Sequence, residues 1–163
     1  MDIQMRNVSL SDMGQILSWR NSEPCVMYSK SNSTISKSQH KEWFEDRILR
    51  NPREPYFIFA LDNQDIGTVR FDCIGDNSNT FLTSIIMSPE FFGRGYGSKI
   101  LSLAISNVIH NFPKMELKAE IHDQNIASIK VFLRNHFALI DDSDVFGVYR
   151  LTSSDLFLES KGN

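Results

Sequence analysis

The sequence predicts an α/β fold: a mixed, mostly antiparallel central sheet with helices on both faces. Three observations carry that expectation. Segments of strand-like and helix-like apolar spacing interleave in the order strand, two helices, three strands, helix, strand, helix, two strands. Turn-forming residues at 62–65 and 75–79 join three successive strand-like runs, and connections that short make neighbouring strands antiparallel. The apolar residues, 41% of the 163, are spread along the chain with no dividing linker, so one core is expected over residues 1–154 and a loose tail over 155–163.

The elements follow in order. Ile3 to Val8 alternates as a first strand, and Ser11 or Asp12 caps a helix with Met13, Ile16, Leu17 and Arg20 at helical spacing. After the polar stretch Ser29 to Thr34, Ser36-Lys37-Ser38-Gln39 has the form of a capping box. His40, Trp43, Phe44, Arg47 and Ile48 follow at spacings of three and four, and Asn51-Pro52 ends this second helix. Pro55 to Leu61, Ile66 to Ile74 and Thr80 to Met87 are rich in aromatic and branched residues and form the three-stranded meander. Ser98 to Phe112 carries Leu101, Ala104, Ile105, Val108 and Ile109 on one helical face until Pro113 stops it. Lys114 to His122 alternates as a strand with one buried face, Asn125 to Asn135 reads as a helix, and Phe137–Ile140 and Val145–Leu151 pair around the acidic turn 141–144.

Charge and cysteine usage narrow the function. A net charge of −3 without a long basic run argues against nucleic acid as a partner. Cys25 and Cys73 stand far apart with no CxxC pair, so neither a metal site nor a disulfide framework is expected. No run approaches the roughly 18 apolar residues of a membrane span, and the expectation is a soluble, cytoplasmic protein, monomeric or a homodimer.

The densest chemical signal lies between the third meander strand and the following helix, where Gly93-Arg94-Gly95-Tyr96-Gly97-Ser98 places three glycines in five positions. Glycine lets successive N–H groups point into one concavity, and a helix start adds unpaired amides and a positive dipole end, which together suit a phosphate or pyrophosphate. A surface turn that needs glycine only for its dihedral angles is the plainer alternative. The nucleotide P-loop is excluded by spacing and by the Ser98-Lys99 order, and a dinucleotide fingerprint by the antiparallel strands that precede the loop.

This loop and the element order resemble the GCN5-related N-acetyltransferase (GNAT) superfamily, whose donor loop reads Q/R-x-x-G-x-G/A. Gly95 and Gly97 match its small positions, and Phe92 stands where glutamine or arginine is usual. Asn125-Ile126-Ala127-Ser128 and the run to Phe137 are similar to the family's N-x-x-A/S helix, with His136 where a glycine is common. The resemblance implies a GNAT-like sheet and acetyl-CoA as donor, held by Gly93, Arg94, Gly95, Tyr96, Gly97 and Ser98, with Ile86 and Met87 near the thioester. Asn125, Ser128 and Phe132 would lie along the pantetheine arm, although Asn125 also reads as a plain helix cap. Phe132 matches the position of a tyrosine general acid in many relatives and cannot donate a proton.

The proton carrier is therefore sought elsewhere: His122 and His40 titrate in the useful range, and Glu120 could act through a water. Positioning alone could also suffice. Trp19-Arg20-Asn21-Ser22 with Ile35-Ser36, His40 and Trp43-Phe44 resembles members of the pseudaminic-acid pathway type, which acetylate the 4-amino group of a nucleotide-linked amino sugar. On that resemblance Trp19, Arg20, Asn21, His40 and Trp43 would bind the acceptor, Arg20 by pairing with a diphosphate and a tryptophan by stacking. The same tryptophans also read as core residues and Arg20 as a solvated helix end. Acetylation of a protein N-terminus, as in ribosomal-protein acetyltransferases, and a noncatalytic acyl-CoA-binding module are the alternatives.

Overall fold

Tyr56–Leu61 (β2) is apolar at every position, and all of it except Ala60 is buried. A strand needs that composition only when both faces are covered. The computed structural model, which describes residues 2–50, 53–75 and 79–159, shows the cover. Phe57, Phe59 and Leu61 enter one large core cluster, and Tyr56 and Ile58 enter a second cluster on the opposite face.

The other strands are Ile3–Asn7 (β1), Gln64–Cys73 (β3), Thr80–Met87 (β4), Glu116–His122 (β5), Ala138–Asp141 (β6) and Phe146–Thr152 (β7). They form one sheet in the order β1-β2-β3-β4-β5-β7-β6, antiparallel throughout except between β4 and β5. The turn from β2 to β3 is only Asp62-Asn63, with Leu61 paired to Gln64. Both turn residues take left-handed φ values, 48° and 64°, which Asp and Asn tolerate and which match the twist of a hairpin. The strand thus starts two residues earlier than its composition suggests.

Helices Met13–Arg20 (α1), Glu23–Met27 (α2) and Lys37–Arg50 (α3) precede the meander; Tyr96–Asn111 (α4), Ile126–Arg134 (α5) and Ser153–Glu159 (α6) follow it. The large cluster is filled by Ile100, Leu101, Ala104, Ile105 and Val108 of α4, at the predicted helical spacing. Ile16 and Trp19 of α1 and Phe44 of α3 fill the second. Helices therefore cover both faces. Arg47 is buried at the end of α3, where Nε donates to Asp72 Oδ1 at 3.1 Å and Nη2 to the Phe71 carbonyl at 3.1 Å, tying α3 to β3. The predicted end of α3 at Asn51-Pro52 lies outside the described residues.

Two expectations are corrected. Glu23–Met27, unassigned from sequence, is a single helical turn with Pro24 near its start, a position that tolerates the missing N–H. The tail is not loose from residue 155: Ser153–Glu159 is helical, Asp155 Oδ2 accepts from Thr152 N and Oγ1 at 2.7 Å, and Leu156 packs on the large cluster. Among the described residues no helix is long and apolar enough to cross a membrane, and no group of His, Cys, Asp and Glu could hold a metal ion.

Candidate active site at a forked sheet

β4 and β5 pair only where Thr80–Leu82 meet Glu116–Lys118. Beyond that point Thr83–Met87 remain bonded to β3 and Ala119–His122 to β7, so the two strands diverge and each presents an unpaired edge to the gap. Unpaired main-chain N–H and C=O groups are obligatory hydrogen-bonding groups, and this fork supplies a row of them beside the glycine loop.

Sheet alternation divides the fork between two faces. Ile85 and Met87 of β4 and Ala119 and Ile121 of β5 pack with α4 and α5. Ile86 packs with α1 and α3, and Ser84, Glu120 and His122 share that side by register.

On the first face the loop is organised around its glycines. Pro89–Phe91 forms a 3-10 turn, Gly93 and Gly95 adopt φ of 73° and 80°, and α4 begins at Tyr96. A Cβ on either glycine would meet nothing within 4 Å, so these positions are demanded by backbone angle and leave the main chain open. Gly97 serves a different need: a Cβ there would sit 3.3 Å from Val131 Cγ2 and 3.8 Å from both Ile85 Cδ1 and Met87 Sδ, so its absence lets α4, α5 and β4 converge. No side chain caps the start of α4 and no acid lies in its first turn. Arg94, exposed above the Phe91 ring at 5.4 Å, and Lys99 add positive charge beside those amides. The loop and helix start therefore fit a diphosphate.

The second segment singled out in the sequence joins them. Asn125 caps α5, its Oδ1 accepting from Ser128 N at 3.2 Å. Asn135 at the other end donates through Nδ2 to Val131 O at 2.8 Å, Ser98 Oγ at 3.1 Å and Ser98 O at 3.2 Å, fastening α5 to the start of α4. His136 takes a φ of 66°, the left-handed angle that a glycine would supply without strain. Phe132 is only 2% exposed and meets Phe137 edge-on at 4.9 Å. Its side chain is core, which corrects its assignment as a ligand-lining residue. A groove of about 750 Å³ starts at Tyr96 and Ser98, at the beginning of α4, and runs along the outer flank of that helix past Ser102 and Arg134 to Leu156; no residue of β4 lines it.

On the second face the sequence-derived residues separate. Trp19 is 5% exposed within the smaller core cluster, so it is a packing residue and not a stacking surface. Asn21 exchanges two 2.8 Å hydrogen bonds with Ile35, Nδ2 to O and Oδ1 from N, and so fastens the segment ahead of α3. His40 is 3% exposed. Its Nε2 donates to the Met13 carbonyl at 3.2 Å, and burial, reinforced by the charges of Arg70 and Arg20, holds its pKa below the usual histidine value. His40 is thereby corrected from proton carrier and acceptor contact to a buried strut between α3 and α1.

Arg20 and Trp43 retain the features of ligand residues. Arg20 Nη1 is buried with no hydrogen-bond partner, an unusual state for a guanidinium. Trp43 is 39% exposed and stacks under Arg70 at 4.7 Å, whose Nε donates to Asp72 at 2.7 Å. Arg70 also lies 5.9 Å from the Tyr56 ring. Sequence reading missed Arg70 because only the β3 register brings it to Trp43.

At the tip of β5, Glu120 pairs with Lys30, and His122 Nδ1 accepts from Gln124 N at 3.1 Å and lies 3.0 Å from Asp123 Oδ1. The His122 ring faces Phe146 at 5.2 Å and Tyr28 at 5.6 Å. Lys30, from the stretch Ser29 to Thr34 read as a polar connector, and Tyr28 just before it thus cover the β5 side of the fork.

A parallel strand pair that opens beside a glycine loop and an uncapped helix start defines an acyl-donor-binding fold. The profile of the acetyltransferase (GNAT) domain matches residues 2–138. The chain belongs to the GNAT acetyltransferase family. It is 25% identical over 140 residues, 86% of this chain and 85% of the other, to the acetyltransferase PseH of Campylobacter jejuni. Among solved structures it is similar to the spermidine N-acetyltransferase of Vibrio cholerae in complex with CoA and spermine, with TM-score 0.78, 16% identity and coverage of 95% and 98%. It is also similar to yncA of Salmonella typhimurium with acetyl-CoA, with TM-score 0.73, 20% identity and coverage of 94% and 95%.

Proposed function

We propose that this acetyltransferase moves the acetyl group of acetyl-CoA to the 4-amino group of a nucleotide-linked amino sugar, by direct attack of the amine within the fork. The observation that carries the donor half is the unpaired edge of β4 ending at the open glycine loop. The loop amides and Arg94 hold the diphosphate, and the edge of Thr83–Met87 aligns the thioester arm. Main-chain N–H groups at that edge are suited to a developing oxyanion.

The acceptor half rests on Arg20, whose buried Nη1 lacks a partner, and on the similarity to PseH. An acceptor phosphate supplies the charged partner that a buried guanidinium requires. Trp43, with Arg70 above it, offers a flat face for a sugar or base. Glu120 is the base of choice, since it is a partly exposed carboxylate on the diverging half of β5, and His122 is the alternative on the same face. Phe132 supplies no acid, so the departing thiolate takes its proton from water or from the amine itself.

The test measures free CoA released from acetyl-CoA with UDP- and TDP-linked 4-amino sugars, N-terminal peptides and polyamines as acceptors. Preference for a nucleotide-linked amino sugar is expected. Faster turnover of peptides overturns the acceptor assignment, and tight acetyl-CoA binding without release of CoA from any amine indicates a binding module.

A further inference from the structure

Lys30 occupies a place that the acetyl-transfer chemistry does not explain. It lies on the segment between α2 and α3, its side chain is 61% exposed, and its Nζ pairs with Glu120. The same ammonium lies 5.8 Å from the Phe146 ring centre, and Tyr28, two residues earlier, faces His122 at 5.6 Å. Two contacts on β5 and one on β7 therefore hold the segment across the acceptor face.

Glu120 lies two residues beyond Lys118, the last position of β5 paired to β4. The other lysines with described ion pairs meet acids of their own element: Lys41 with Glu45 on α3 and Lys118 with Glu116 on β5. Lys30 alone in that set is carried by one segment to a carboxylate on the opening fork. An exposed pair of this kind contributes at most about 1 kcal/mol to stability, which gives little structural reason for a primary amine at this spot.

We infer that Lys30 is an acetyl acceptor in cis: with acetyl-CoA bound and no external amine present, the chain acetylates its own Lys30 side chain at Glu120. The inference rests on Glu120 as the base of the fork. The Lys30 ammonium gives one proton to Glu120, which passes it to water. The neutral Nζ attacks the thioester carbonyl, the N–C bond forms and the C–S bond breaks. The second proton leaves the nitrogen for the departing thiolate, so the products are an amide, CoA thiol and one released proton. Holding amine and base in one molecule replaces a bimolecular encounter and favours this reaction over that of a free amine. Acetylation also removes the charge that pairs with Glu120, and so frees the carboxylate for an external acceptor.

The full chain is incubated with acetyl-CoA alone, and acetylation is mapped by peptide mass spectrometry over a tenfold range of protein concentration. One acetyl group per chain at Lys30 is expected, with a first-order rate independent of protein concentration. Lys30→Arg abolishes the added mass. Glu120→Gln slows it by about 100-fold, the contribution typical of a positioned base. Unchanged acetyl-CoA affinity by calorimetry shows that E120Q is folded, and Glu120→Asp, which keeps the carboxylate, retains part of the rate. Equal labelling of Lys30, Lys37 and Lys41, a rate insensitive to E120Q, or a rate rising with protein concentration overturns the inference. Lys30 left unmodified after incubation with acetyl-CoA alone, in protein that turns over an external amine, refutes this inference alone. Absence of acetyl-CoA binding refutes the proposed function with it.

Discussion

Gly67→Ala and Gly14→Ala add the same methyl group, and the structure assigns them opposite signs. Gly67 lies on β3 opposite Met87, and a Cβ there would sit 2.7 Å from the Ile86 carbonyl oxygen, 3.0 Å from Met87 Sδ and 3.1 Å from Ile100 Cδ1. Carbon and carbonyl oxygen approach to about 3.3 Å, so the overlap is about 0.6 Å and falls on backbone, which cannot rotate aside. Overpacking costs about 1–3 kcal/mol, and the lower chain entropy of alanine offsets about 0.4–1 kcal/mol. A net loss of about 1–2 kcal/mol lowers Tm by about 2–8 °C in a domain of this size. Gly14 lies in α1 with nothing within 4 Å of its Cβ position, and Gly14→Ala raises stability by about 0.5–1 kcal/mol. Because the displaced atoms of Gly67→Ala are those of Ile86 and Met87, acetyl-CoA affinity also falls, on the order of tenfold, while Gly14→Ala leaves it unchanged. Thermal melts and calorimetry on the three proteins test both effects. Equal Tm values for Gly67→Ala and the parent, or a melting loss with full CoA affinity, refute the link drawn between β3 packing and the β4 edge.

Arg20→Ala raises KM for the acceptor by about 10–100-fold, the loss of about 1.5–3 kcal/mol typical of a charged hydrogen bond, and leaves KM for acetyl-CoA unchanged in steady-state assays. Gly95→Val forces a branched side chain to a φ of 80°, and calorimetry should show weakened CoA binding together with a loss of about 1–3 kcal/mol in denaturant melts. His40 has a folded pKa below its ordinary value of about 6.5, so the unfolded chain binds the proton first. Its contribution is complete above that pH and is lost as pH falls toward the folded pKa; His40→Gln flattens Tm against pH in that window. Asp12, held low by the two 2.8 Å bonds from Arg6, stabilises above about pH 3.8 and loses its effect as pH falls through its lowered folded pKa. Asp12→Asn therefore costs stability at neutral pH and removes part of the acid transition.

The parts of this fold legible in the sequence are those whose physics is local. Apolar spacing locates α4 to within two residues, and glycine density marks the loop because positive φ at Gly93 and Gly95 is a local demand. The fork is not local: it depends on which strand meets β4 across a helix, and nothing in Thr80–Met87 states that pairing stops at Leu82. The acceptor face shows the same limit. His40 and Trp43 have the same helical periodicity, yet one is 3% and the other 39% exposed, because only tertiary packing decides which lies beneath Met13. Asn21 resembled a ligand residue because an amide that braces a loop and one that binds a sugar use identical chemistry. Lys30 lay in a polar connector with no periodicity, and its role emerges only from contact with β5.

The free margin of β4 is made of peptide groups, and every residue type except proline carries the same donor and acceptor there. Substitutions other than proline along Thr83–Met87 can reshape the walls but cannot erase the rungs on which a thioester would lie. The covering segment around Tyr28 and Lys30 has no such insurance, since its described contacts with β5 and β7 run through side chains. Within one such scaffold, then, the choice of amine can drift by ordinary mutation while the grip on the acyl carrier stays in place.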